Sequence, residues 1–357
     1  MHSYVVKTQT NRRNWFHKMA QLRNIILIFL LLVSCTSLYP EGIIVLSDGI
    51  FLHKIEIPRR DGSLIETYIS TTKDGELHQK PVIFILQGSG GNSVFSFAGD
   101  KIYKPFLFKQ LQKHKKDWHI ICIEKRGVKF GDNVNASGYE KCSQEYVEHA
   151  TKEGRGNDVS TVIDYLNDHN IYNQKELVLI GHSEGSMVAP YVAAINSKVT
   201  HMVLLGYSAT HGLLDFLITQ RRDLETNKIN ESEFLEDYDW LIDKFKDVHQ
   251  HGDSLKELLG HTYKRWDSYS FGVTLEDLMR VDVPIFLGIP TSDRSAPAIG
   301  SDIVIAEFIK AGKNNLTWKN YIGFDHGFIR HENGNIYDGQ AEVLRDIFDW
   351  IKLTNDR

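Results

Sequence analysis

Five stretches of this chain are apolar at every, or nearly every, position: 81–86 (PVIFIL), 119–123 (HIICI), 177–180 (LVLI), 201–205 (HMVLL) and 283–290 (VPIFLGIP). A strand with one solvated face alternates between apolar and polar residues. A strand covered on both faces does not, and parallel sheets are the usual home of that second kind. Between the runs the pattern switches to helical spacing. Val159, Val162, Ile163 and Leu166 recur on one face after Asp158, the expected N-cap region, and Tyr103 to Lys113 reads as another helix. Phe51 to Ile57 and Leu64 to Ser70 predict two earlier strands about a turn at Arg60-Asp61-Gly62, and LTWKNYIG at 316–323 predicts a last one. Buried strands alternating with helices predict an α/β fold, with a mostly parallel central sheet and helices on both faces.

One region breaks the alternation. From about His211 to Met279 the pattern stays helical, with Phe234, Leu235, Tyr238, Leu241, Ile242, Phe245 and Val248 on one stripe. Asn230 with Glu233, and Ser254 with Glu257, read as the start signals of two helices. The expected organisation is a core at 36–210 and 280–357, split by a helical cap insertion at 211–279 and preceded by a separate segment, 1–35.

That first segment changes the picture of where the protein works. Arg12, Arg13, Lys18 and Arg23 precede the apolar run Ile25 to Val33, which is too short to span a membrane as a helix and ends in small residues. A charged region, a short apolar run and a small-residue end describe a secretory signal. Leu32-Val33-Ser34-Cys35 resembles the lipobox of bacterial lipoproteins, which implies a lipid on Cys35 and a membrane anchor at the N-terminus. The expectation is an exported protein of the bacterial cell envelope; Thr36 after the cysteine points to the outer membrane in a Gram-negative cell. The charged region is long, and a start at Met19 gives a tidier one. Apart from Cys35, only Cys122 and Cys142 remain, free to pair in such a compartment or to stay as two thiols.

Composition excludes more than it selects. Hydrophobic residues make up 42% of the 357 and charged residues 24%, which is ordinary for a globular domain. With a net charge of -5 and no basic face, nucleic acid is not an expected partner.

The chemistry gathers at one corner. Gly181-His182-Ser183-Glu184-Gly185 follows the buried run 177–180 and opens a helical pattern that carries Pro190 in its second turn. As a bare G-x-S-x-G match it is weak, because about one chain in ten of this length carries one by chance. Between a strand and a helix it has the context of a nucleophile elbow, in which a strained turn exposes the serine hydroxyl above a helix N-terminus. A serine needs a base, and the base needs an orienting group. Asp293 follows the run 283–290, and His326 follows the last strand, so both fall at carboxyl ends of strands, where open α/β sheets collect their sites. Asp302 and Asp325 are rival carboxylates, though Asp325 sits beside His326 and is badly placed to reach its ring. His182 is expected to pack beside the elbow.

Taken together, Gln87-Gly88-Ser89-Gly90-Gly91, Glu124-Lys125-Arg126-Gly127, the Ser183 corner and Asp325-His326-Gly327-Phe328 make the chain resemble the α/β-hydrolase superfamily from about Phe51 to Lys352. The resemblance implies a Ser183–Asp293–His326 triad. It also implies an oxyanion hole made of backbone N–H groups, one from Glu184 and one from Ser89 or Gly90. Arg126 is expected to brace loops near the site. Neither a metal nor a cofactor is called for. The expected activity is hydrolysis of a carboxylic ester or related acyl bond on a small-molecule or peptide substrate. An aminopeptidase-like serine peptidase is the alternative within that chemistry, and a non-catalytic envelope binding protein the alternative outside it.

Overall fold

The computed structural model describes residues 42–355, apart from 74, 76, 135–140, 210, 211 and 273. Segment 1–35, with Cys35, lies outside the described residues. In chain order the strands are β1 (Ile43–Val45), β2 (Phe51–Pro58), β3 (Leu64–Thr71), β4 (Lys80–Leu86), β5 (Ser96–Ala98), β6 (Lys101–Tyr103), β7 (His119–Ile123), β8 (Tyr172–His182), β9 (His201–Leu205), β10 (Glu257–Leu258), β11 (His261–Thr262), β12 (Ile285–Pro290), β13 (Leu316–Tyr321), β14 (Ile329–Glu332) and β15 (Asn335–Asp338). The helices are α1 (Phe108–Leu111), α2 (Gln144–His149), α3 (Lys152–Asp168), α4 (Glu184–Ile195), α5 (Leu213–Glu225), α6 (Glu231–Gln250), α7 (Tyr263–Ser270), α8 (Thr274–Arg280), α9 (Ala298–Lys310) and α10 (Gln340–Asn355).

Nine strands form one sheet in the order β1-β2-β3-β7-β4-β8-β9-β12-β13. The pairs from β1 through β3 to β7 are antiparallel, and those from β7 to β13 are parallel. The continuous apolar runs have the reason expected of them. Val82, Phe84 and Leu86 of β4 pack with Val159, Val162, Ile163 and Leu166 of α3 on one face. Ile83 and Ile85 face the other way, with Phe108 of α1 and Val343, Ile347 and Trp350 of α10. Cys122 is buried in β7, and it and Cys142 are both free thiols.

Between β9 and β12 the chain leaves the sheet for α5 to α8. Asn230 and Glu233 form the capping box of α6, whose Leu241, Phe245 and Val248 join Leu217, Leu258, Tyr263 and Trp266 in a small core of their own. Three local expectations are corrected. Ser254 and Glu257 do not open a helix: residues 257–262 form a hairpin turning through Leu259 and Gly260, both at positive φ, and the next helix, α7, is capped by Thr262, whose hydroxyl accepts from Arg265 N–H. The helix expected over 103–113 shrinks to α1 and one 3-10 turn, because residue 105 is proline and Leu107 is left-handed. Helix α3 is capped by Thr151, about two turns before Asp158, whose carboxylate instead pairs with Arg59 at 2.7 Å.

Candidate active site

Five loops at the carboxyl ends of the parallel strands converge on one place: 87–91 after β4, 124–127 after β7, 183 after β8, 291–296 after β12 and 324–328 after β13. Ser183 is the sharpest corner among them, with φ 56 and ψ −127. No non-glycine residue adopts that backbone without strain. The corner closes because its flanking residues have no side chains. A Cβ on Gly181 would collide with the Gly185 carbonyl, and one on Gly185 with the Leu86 carbonyl of β4. Helix α4 therefore starts directly beneath Ser183. As its first residue, Glu184 has an N–H with no partner inside the helix.

Asp293 and His326 are brought together. Asp293 is 1% exposed, and its Oδ2 lies 2.7 Å from His326 Nδ1. Its Oδ1 accepts from the N–H groups of Ser295 at 2.7 Å and Ala296 at 2.9 Å, which locks the carboxylate in place. The rivals are occupied or remote. Asp325 Oδ1 accepts from Gly327 and Ile329 N–H, and Asp302 is exposed on α9. His182 stacks on Phe106 at 4.3 Å and bonds through Nε2 to the His326 carbonyl at 2.8 Å, so it braces the backbone of the other histidine. Burial pushes its imidazole down to about 4, with His326 adding to the effect.

Ser183, Glu184, Ser89 and His326 all line one cavity of about 380 Å³. Its far wall comes from the insertion: Phe216 and Thr219 of α5, and Arg265, Trp266 and Tyr269 of α7. Among the described residues, Gly90 is not part of the lining, and no cluster of three or more His, Cys, Asp or Glu is placed to hold a metal ion.

Glu184 and Arg265 of the cavity wall belong to a buried charge cluster that sequence reasoning missed. The Glu184 carboxylate, 5% exposed, accepts from Arg265 Nε at 2.9 Å and Nη2 at 2.6 Å, and also from Arg155 Nη1. Burial alone would raise its pKa; Arg265, Arg155 and Lys125 outweigh that and hold the carboxyl well below its usual range. Lys125 is buried, and burial together with Arg155 pushes its ammonium down to about 7. Arg126, the expected brace, instead bridges Asp61 at 2.7 Å and Glu145 at 2.9 Å nearer the surface.

A family model described as alpha/beta hydrolase fold matches residues 81–231. No curated protein matches the chain in sequence. Among solved structures it is similar to the acylaminoacyl peptidase of Pyrococcus horikoshii, with a TM-score of 0.54 and 13% identity over 85% of this chain and 42% of that one. An acetyl xylan esterase from Paenibacillus sp. R4 gives 0.53 and 14% over 86% and 87%, and Est1E from Butyrivibrio proteoclasticus gives 0.50 and 11% over 85% and 99%. The chain thus spans less than half of the peptidase it matches. It has the α/β-hydrolase fold: a large, mostly parallel sheet covered by helices on both faces.

Proposed function

We propose that this protein is a serine hydrolase that cleaves a carboxylic ester or related acyl bond through an acyl-enzyme intermediate. The observation that carries the reading is the buried Asp293 carboxylate bonded to His326 Nδ1, with His326 and the strained Ser183 lining the same cavity. With Asp293 accepting from Nδ1–H, the Nε2 of His326 is left free to take the Ser183 proton. The serine oxygen attacks the acyl carbonyl, and the negative charge moves onto the carbonyl oxygen, held by the N–H groups of Glu184 and Ser89. The intermediate collapses, His326 returns the proton to the leaving group, and water repeats the sequence to release the acid.

The insertion, 211–279, acts as a cap that shapes the acyl and leaving-group pocket, since α5 and α7 supply its far wall. Esters come ahead of peptides because aromatic Phe216, Trp266 and Tyr269 give one side of the cavity an apolar surface suited to an acyl group. The neighbours named as esterases and as a peptidase frame the same two choices. An N-terminal lipid on Cys35 places the enzyme on a membrane of the cell envelope; labelled-lipid feeding with a Cys35→Ala control tests that part.

The decisive experiment is labelling with a fluorophosphonate, followed by turnover of p-nitrophenyl esters beside aminoacyl-amides. Wild type labels at Ser183, and Ser183→Ala neither labels nor turns over substrate while keeping its melting temperature, because the Ser183 side chain caps nothing. A Ser183→Ala protein with undiminished turnover would overturn the assignment. Amides hydrolysed faster than esters would move the substrate class to peptides.

A further inference from the structure

We infer that Lys125, with Arg155 beside it, is a positioning residue that turns the Gln87–Gly91 loop so that the Ser89 N–H faces the cavity. The inference rests on the acyl-transfer reading above and identifies what builds its second oxyanion donor.

Lys125 Nζ donates to the Gly88 carbonyl and to the Gly90 carbonyl, both at 2.6 Å. Arg155 Nη2 donates to the Gln87 carbonyl at 2.9 Å. Three carbonyls of one short loop are thus held by two basic side chains, the buried Lys125 and the largely buried Arg155. The peptide bonds are trans, and in a planar trans peptide the carbonyl of one residue and the N–H of the next point in opposite directions. Holding the Gly88 carbonyl toward Lys125 therefore aims the Ser89 N–H away from it. The loop lies between the two: Lys125 lines a small crevice behind it, whereas Ser89 lines the cavity in front. Gly88 brings the loop against the nucleophile, since a Cβ there would sit 3.2 Å from Ser183 Cβ.

The geometry also separates two donors that the sequence left open. The Gly90 N–H belongs to the Ser89–Gly90 peptide, whose carbonyl neither cation holds, and Gly90 does not line the cavity. Ser89 has both properties. The other donor, Glu184 N–H, is tied into the same cluster, because Arg155 grips the Glu184 carboxylate as well as the loop. One buried ionic group thus sets both arms of the oxyanion hole.

The test uses the full chain with Lys125→Met, Lys125→Gln and Lys125→Arg. Lys125→Met should lower kcat about 10- to 100-fold, less than or equal to the loss of a whole oxyanion donor, while KM moves no more than about threefold. Lys125→Arg, which keeps a charged donor, should recover most of the loss. Fluorophosphonate labelling of Ser183 should slow in parallel, because the phosphoryl oxygen uses the same donors. If Lys125→Met does not fold, Lys125→Gln, which retains a donor for one carbonyl, is judged by the same criteria. A folded Met or Gln variant with wild-type kcat, a loss confined to KM, or an Arg variant as slow as the Met one overturns the inference. A wild type that fails to label overturns the acyl-transfer reading itself. Labelled wild type with an indifferent Lys125→Met overturns this inference alone.

Discussion

Asp293→Asn is the substitution whose effect the geometry determines most fully. The carboxylate makes three contacts: Oδ2 faces His326 Nδ1, and Oδ1 accepts from Ser295 and Ala296 N–H. In the amide, the oxygen must stay with the two backbone donors. Reversing it gives up two hydrogen bonds at about 1 kcal/mol each and sets an NH2 against two N–H groups. The NH2 therefore points at His326 and donates to Nδ1, which forces the ring proton onto Nε2. The nitrogen that faces Ser183 can then no longer accept a proton. Returning to the reactive tautomer costs about 2 kcal/mol on this count. The imidazolium of the transition state also loses a carboxylate, worth about 4 kcal/mol for charges some 4 Å apart at an effective dielectric constant of 20. Together these predict a fall in kcat of about 10⁴-fold. The assay is steady-state hydrolysis of a p-nitrophenyl ester, paired with a thermal melt. The melting temperature should hold, because both backbone bonds to residue 293 survive. A folded Asp293→Asn enzyme within tenfold of wild type, or one impaired only in KM, would refute the orienting role.

Two further outcomes concern stability. Lys152 and Asp277 form a buried pair at 2.9 Å, with side chains 1% and 5% exposed, so Lys152→Met should cost about 3–5 kcal/mol in urea denaturation. Adding Asp277→Leu should restore most of it, and equal losses in single and double variants would argue against an uncompensated charge as the cause. His119 is 2% exposed and bonds through Nε2 to the His78 carbonyl, and burial pushes its imidazole down to about 4. Between pH 6.5 and 4 the unfolded chain binds a proton that the folded chain refuses, so stability falls as pH falls through that window. Relative to His119→Gln, wild type should lose about 3 kcal/mol there; parallel urea midpoints for the two at pH 7, 5.5 and 4.5 would refute it.

The parts of the fold legible in the chain were those governed by local pattern. Apolar runs such as 81–86 announce a strand covered on both faces, and the Gly-flanked Ser183 corner announces an abrupt strand-to-helix reversal. Asp293 and His326 were reachable because strand ends gather whatever the order of the chain. What escaped depended on partners distant in sequence. Lys125, Arg155 and Arg265 look like ordinary surface cations until the fold places them around Glu184, 59, 29 and 81 positions away. The start of α3 was hidden by Gly154 and Gly156, poor helix formers, the second of which packs against Tyr191. Asp158 suits a cap, but its long-range partner Arg59 decides its role.

The contacts of the insertion divide it into two parts of unequal firmness. The α7–α8 part is nailed down from within: Arg265 to Glu184, Lys152 to Asp277, and Ser268 Oγ between Lys152 N–H and Glu153. The polar links of the α5–α6 part to the rest of the chain lie closer to solvent: Arg294 to Asp223 at the rim, Thr219 to the Arg294 carbonyl, and Ser208 to Asp215. Local opening follows the weaker set of links, so amide hydrogens of α5 and α6 should exchange well before those of α7. The rim of the cavity beside Asp293, where Arg294 holds Asp223, is therefore the side expected to loosen first, and α5 and α6 amides that exchange no faster than those of α7 would refute it.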